Sequence, residues 1–207
     1  MHTQTCRQIM PVVGVMFFLT ACGGGSEDES APAAQVSSDG WQQLLQSDSL
    51  SGWSLLGDAN WRFEDGSVLA DESTAASFLV SDSDFSDFEL ELEFWVDTDA
   101  NSGVFFRCSD RAEISDTICY EANIFDTRPD QTYRSGSIVN VAEPAEFLYT
   151  GGQWNRYRIL AEGPRLQVEL NGRAMVDVED SQFSAGPIAL QYGMGIVRFR
   201  NVQLRAL

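Results

Sequence analysis

An all-β sandwich or barrel is what the sequence predicts, and three observations carry that expectation. From Gly40 onward, short apolar runs recur between turn residues. Residues 89–96 alternate strictly: Leu90, Leu92, Phe94 and Val96 share one parity and Glu89, Glu91 and Glu93 the other. A strand sorts such a pattern onto two faces, whereas a helix scatters it around its circumference. Asp65-Gly66 and Asn171-Gly172 sit between alternating segments where two-residue hairpin loops belong. No stretch sustains a helical period beyond about two turns. About a dozen short strands then favour two packed sheets or a closed barrel, with apolar inner faces.

Taken in order, residues 1–21 read as an export signal. Arg7 precedes an apolar run from Met10 to Leu19 that is too short to span a bilayer. Leu19-Thr20-Ala21-Cys22 resembles the lipobox of bacterial lipoproteins, in which cleavage precedes a cysteine that is lipidated. Gly23 is not the aspartate that resembles an inner-membrane retention signal, so the expected address is the outer membrane, periplasmic or surface-facing, with the lipid as the only membrane contact. Residues 22–39, rich in Gly, Ser, Ala, Glu and Asp, form a tether, which leaves 40–207 as one domain.

Cysteine use follows from that address. Cys6 leaves with the signal and Cys22 carries lipid, so Cys108 and Cys119 remain as a pair for which a disulfide is the default in an oxidising compartment. A metal–thiolate pair is the alternative, but no histidine or third cysteine lies near, and the only histidine, His2, is lost on processing. The chain holds no lysine; removing the signal takes Arg7 and no acid, leaving 12 arginines against 31 carboxylates, a net charge of -19. Such a field repels nucleic acid and anionic lipid.

The domain opens with 41–45, a brief helix or strand, and a turn at 50–52 feeding a strand to Leu56. Trp61 and Phe63 alternate with polar neighbours before the Asp65-Gly66 turn, and Val68 begins the return. Apolar runs at 77–80 and 85–88 and a strand at 89–96 follow, then a turn over 97–103, a strand to Arg107, an acidic loop between the cysteines and a strand that continues from Cys119. Residues 135–139 are a short strand candidate, and 141–150 a loop. Alternation returns at 154–160, and the segments 166–170 and 173–178 pair through Asn171-Gly172. Residues 186–191 and 196–204 close the chain around Gly193 and Gly195.

The rest is organised around 101–126, which gathers Arg107, Glu121, Asp126, Asn101 and Asn123 on two joined strands. Glu121 and Asn123 share one face; Tyr120, Ala122 and Ile124 share the other, and Asp126 follows them. If Cys108 stood directly opposite Cys119, Phe106 would face Glu121 and Arg107 would face Tyr120, placing the two charges on opposite faces. We expect a bulge beside the disulfide to reset this parity, because a regular strand would send one charge into a core that cannot solvate it. The structural alternatives are a salt bridge for Arg107 or Glu121, a turn cap for Asp126, and a solvated face for Arg198 and Arg200. The sequence has no G-x-S-x-G elbow, phosphate loop or zinc signature, so nucleophilic triads and zinc hydrolysis are poor fits. Carboxylate chemistry or simple sugar binding remains.

A family resemblance adds to this reading. Leu50-Ser51-Gly52-Trp53, Phe88-Glu89-Leu90, Asn101-Ser102-Gly103-Val104 through Arg107, Tyr120-Glu121 with Ile124 and Asp126, Ser135-Gly136, Trp154-Asn155, Leu170-Asn171-Gly172, 186–191 and Phe199-Arg200-Asn201 stand in the order of the 3-keto-disaccharide hydrolase domain family. No single motif is specific; their joint order and spacing are. The resemblance implies a concanavalin A-like jelly-roll sandwich with a carbohydrate cleft on its concave sheet. It also implies hydrolysis of 3-ketoglycosides by C2 proton abstraction, β-elimination and rehydration. In that scheme Glu121 is the base and Arg107 stabilises the enolate. Asn123, Asp126, Asn101 and Gln191 contact substrate, and Asp126 with Asn123 are the candidate ligands of a divalent cation such as Ca or another hard metal. Asn123 departs from the glutamine common in the family, and no imidazole survives processing. Those departures keep a second expectation open, a non-catalytic lipid-anchored carbohydrate-binding module.

Overall fold

The computed structural model describes residues 37–46 and 48–207. The expected export signal, with Cys6, the expected lipidation site Cys22 and the expected tether up to residue 36 lie outside the described residues. The described strands are β1 (Gln42–Gln43), β2 (Trp53–Leu56), β3 (Arg62–Glu64), β4 (Ser67–Ala70), β5 (Ser77–Ser81), β6 (Phe88–Val96), β7 (Ser102–Phe106), β8 (Tyr120–Ile124), β9 (Trp154–Glu162), β10 (Arg165–Leu170), β11 (Arg173–Glu179), β12 (Ala189–Tyr192) and β13 (Val197–Ala206). They form two antiparallel sheets: eight strands in the order β11-β10-β9-β6-β13-β4-β3 with β1 alongside β13, and five in the order β2-β5-β12-β7-β8. The predicted all-β sandwich is the observed one.

Period-two patterning sets which face each strand buries. Along β6, Phe88, Leu90, Leu92, Phe94 and Val96 are buried between the sheets, with Tyr157, Ile159 and Ala161 of β9 and Tyr120, Ala122 and Ile124 of β8. Each large apolar side chain so enclosed contributes about 1.5–3 kcal/mol. The opposite face of the eight-stranded sheet carries a ladder of ion pairs. Arg156 meets Glu91 at 2.6 Å, Arg200 meets Glu93 at 2.7 Å, and both Arg158 and Arg205 bond Glu89. Arg200 and Arg205 lie directly opposite Glu93 and Glu89, while Arg156 and Arg158, opposite Glu93 and Glu91, each reach diagonally to the glutamate two residues away.

Both hairpin dipeptides behave as expected. Asp65 and Gly66 have φ of 51° and 73°, and Asn171 and Gly172 of 53° and 76°, the paired positive values that a primed two-residue turn demands. Asn201, also at φ 53°, falls inside β13 at a register shift, so Phe199 and Val202 both reach the core. One expectation needs correction. Residues 135–139 form no strand: only Ile138 makes bridges, to Ala122 and Ala142, and a 3-10 turn at Gln131–Tyr133 precedes them. The opening segment 41–45 supplies the brief strand β1.

Candidate functional site

The outer face of the five-stranded sheet carries the candidate site. On β7 and β8, Phe105 pairs with Glu121 and Gly103 with Asn123; on β12, Ala189 pairs with Phe105, and Gln191 pairs with Phe78 of β5. These residues share the parity that points away from the core. A depression opens on this face, floored by Phe78, Phe105, Glu121 and Gln191. It is a cavity of about 720 Å³, within the range of small-ligand sites. Phe78, Phe105, Phe125, Ile114 and Pro129 give it apolar walls, while Asn101, Gln191, Glu121, Asp116, Arg128 and Asp130 supply the polar groups.

Glu121 is the unusual group. It is 7% exposed, yet its carboxylate accepts no hydrogen bond from the described residues. Burial, and then the negative charge of Asp116, push its pKa up to about 8, against the opposing pull of Arg128. Gly103 makes room for it: a Cβ there would stand 2.7 Å from the Glu121 Oε1. Gln191 is in a similar state, its Oε1 buried without a partner among the described residues. Asn101 lines the same cavity, its backbone paired with Gly193 and Met194. A buried polar atom with no protein partner is costly, and a ligand hydroxyl or proton is what it can accept.

Arg107 is not part of this arrangement, which corrects the sequence expectation. The bulge exists: Phe106 pairs with Tyr120, so one extra residue separates that pair from the Cys108–Cys119 disulfide. That residue is Arg107, and its φ of 52° places it in the left-handed region. Its guanidinium is directed to the end of the opposite sheet, donating to Ser86 O at 2.7 Å, Gly163 O at 2.8 Å and Asp87 Oδ1 at 2.9 Å. At 1% exposure it joins the two sheets and does not reach the cavity.

Asp126 and Asn123 also take structural positions. Asp126 Oδ2 accepts from the N–H groups of Thr150 at 2.6 Å and Gly151 at 3.1 Å, and Oδ1 from the hydroxyls of Ser135 at 2.6 Å and Thr150 at 3.0 Å. Asn123 Nδ2 donates to Tyr133 O at 2.5 Å, and the Tyr133 segment covers it. Neither lines the cavity. As a cation pair they do not fit, because both Asp126 oxygens already accept from protein donors, and no His, Cys, Asp and Glu grouping among the described residues has the arrangement to hold a metal.

The cavity's cation is Arg128, which sequence reasoning passed over. It follows β8 in the loop that opens at Phe125, and it forms no salt bridge with the described residues; its closest acceptor is Tyr133 O at 3.5 Å. The adjoining Pro129 gave the only signal, that of a turn. Asp116 is set by the cross-linked loop, where the disulfide closes 108–119 and Asn140 Nδ2 donates to Asp116 Oδ2 at 3.2 Å.

Comparison with known proteins agrees with this architecture. The family model described as the 3-keto-alpha-glucoside-1,2-lyase-like domain matches residues 40–205. No curated protein matches the chain by sequence. Two crystal structures of candidate glycosyl hydrolases from Parabacteroides distasonis ATCC 8503 share the fold. One has a TM-score of 0.72 at 15% identity, covering 82% of this chain and 94% of its own; the other has 0.66 at 22% identity, covering 81% and 99%. The carbohydrate-binding module CBM66 from Bacillus subtilis shares it at a TM-score of 0.60 and 22% identity, over 75% of this chain and 96% of its own.

Proposed function

Because the chain belongs to the 3-keto-alpha-glucoside-1,2-lyase-like domain family over residues 40–205, we propose that it cleaves glycosides whose sugar carries a ketone at C3, with Glu121 as the base. The supporting observation is a buried, unpaired carboxylate with its pKa raised to about 8 in a cavity that can admit a sugar. A carboxylate so destabilised is a stronger base than one in water, and a proton α to a ketone is the kind such a base removes. Glu121 takes the proton from C2, and the electron pair is delocalised onto the C3 oxygen as an enolate. Collapse of the enolate forms the C1–C2 double bond and breaks the bond from C1 to the glycosidic oxygen. That oxygen leaves with the proton returned by Glu121, and water added across the double bond completes a net hydrolysis.

Arg128 takes the part first expected of Arg107. It is a fixed positive charge on the cavity wall, suited to the enolate oxygen. Asn101 and Gln191 offer amides to sugar hydroxyls, and Phe78 and Phe105, packed edge to face at 5.4 Å, offer an apolar wall to the ring. The lipobox-like segment that ends at Cys22 supports the further reading that this activity belongs to a lipoprotein of the outer membrane.

A second reading is a lipid-anchored carbohydrate-binding module without turnover, favoured by the fold shared with CBM66. Incubation of the soluble domain with a 3-ketoglycoside and with its unoxidised parent separates the two. Release of sugar from the keto substrate alone is the expected result. Affinity for both without release from either leaves the binding module.

A further inference from the structure

Two cation–aromatic groups, joined where Tyr133 and Arg134 adjoin in the chain, form a row along the loops that follow β8. Arg128, on the cavity wall, sets its guanidinium 5.9 Å from the centre of the Tyr133 ring. The next residue, Arg134, lies 4.1 Å over Phe147, and Phe147 meets Tyr149 edge to face at 4.3 Å. Tyr149 is 70% exposed, the most of any large hydrophobic among the described residues. Neither Arg128 nor Arg134 forms a salt bridge with the described residues, so the N–H groups they do not use within the loop are available to a ligand.

Backbone bonds tie residues 136–139 to β8 and Gly152 to Val96 of β6, and Asp126 links the two segments to each other. Its carboxylate binds Ser135, next to Arg134, and Thr150 and Gly151, next to Tyr149, and so fastens both halves of the row to the end of β8. Gln153 Nε2 adds a bond to Tyr149 O at 2.9 Å. Four donors on one buried carboxylate thus fix the backbone beside a ring that stands in water. Fixing an apolar ring before a ligand arrives lowers the ordering cost of binding. A pyranose has the matching chemistry, with an apolar C–H face for the ring and a hydroxyl rim for guanidinium donors.

We infer that the row is an outer sugar subsite. The ligand is an oligosaccharide that runs from Glu121 past Arg128 and Tyr133 and over Arg134 and Phe147, and rests a further sugar unit on Tyr149. The inference rests on the reading of the cavity as a sugar site, but not on turnover there.

The test is calorimetric titration of the wild-type domain with unoxidised maltose-series and cellobiose-series oligosaccharides of about two to five units. Affinity is expected to rise roughly 3- to 10-fold with length in at least one series, the gain of one added ring contact. Tyr149→Ala should cancel the gain and leave the disaccharide affinity within about twofold, while Tyr149→Phe should keep it. Disaccharide binding with no gain on lengthening, or a full gain in Tyr149→Ala, overturns the subsite alone. No binding at any length overturns both the subsite and the sugar reading of the cavity. Length-dependent binding that Tyr149→Ala removes, in a protein that cleaves no 3-ketoglycoside, upholds the subsite and sinks only the catalytic reading.

Discussion

Glu89 and Glu121 are buried glutamates on the outer faces of opposite sheets, 4% and 7% exposed. Glu89 lies in the ion-pair ladder, bonded by Arg158 and Arg205; burial works to raise its pKa, but those two arginines hold it below the ordinary carboxylate range. Glu121 forms no salt bridge or hydrogen bond with the described residues, and burial with Asp116 raises it to about 8 against the weaker pull of Arg128. The sequence environments explain the contrast. Glu89 is one of three glutamates on β6 flanked by strands that carry arginine at the facing positions, whereas Glu121 faces Phe105 and lies over Gly103. A buried acid that the fold has satisfied belongs to the scaffold; one left unsatisfied in a cavity is a candidate for chemistry.

The largest expected effect tests that division directly. Glu121→Gln keeps the shape and loses the base, and should lower sugar release from a 3-ketoglycoside by about 10²- to 10⁴-fold. Undiminished release would remove Glu121 from the mechanism. Arg107 belongs with Glu89 on the satisfied side, since its ion pair and carbonyl bonds join the sheets. Arg107→Met should cost about 2–5 kcal/mol in urea unfolding, because it leaves the Ser86 and Gly163 carbonyls unpaired, while the half-exposed Asp87 carboxylate rehydrates. Little loss of stability with a large loss of turnover would return it to the site.

The two pKa directions predict opposite responses to pH. Glu121 is raised in the folded state, so folding favours its protonated form, and the cost of ionising it grows as pH climbs from the ordinary carboxylate range to about 8. Thermal melts of Glu121→Gln against wild type should therefore show a stabilisation that widens over that window, on the order of a few kcal/mol at its upper end. Turnover should rise as pH passes through about 8, where the base becomes free. Glu89 is lowered, so its contribution is complete above the ordinary carboxylate range and is lost as pH falls through its folded value. The smallest effect is Glu89→Gln, about 1–3 kcal/mol by urea unfolding at neutral pH, since both arginine partners reach solvent and can rehydrate. It should leave cleavage unchanged.

Much of this division was legible in the residues. Parity alone set Glu121 apart from Tyr120, Ala122 and Ile124, whereas Asp126, expected at the cleft, is taken up by the loops at Ser135 and at Thr150 and Gly151, which no local pattern announces. The alternation of 89–96 foretold both the core face and the glutamate ladder of β6. The two hairpin turns were readable because Asp-Gly and Asn-Gly suit positive φ. Arg107 was misread because one non-glycine residue in the left-handed region reverses the direction of a side chain, and no local composition announces it. Arg128 was missed because a loop residue has no period; only the folded chain brings it back over β8.

The wall of the cavity that carries Ile114, Ser115 and Asp116 is fastened by the bond between Cys108 and Cys119. With both thiols reduced, that stretch regains the freedom of an open loop and Glu121 loses the neighbour that helps keep it protonated. Completing the hollow is then an oxidative event, and a chain held among reductants would carry its base in a half-built enclosure.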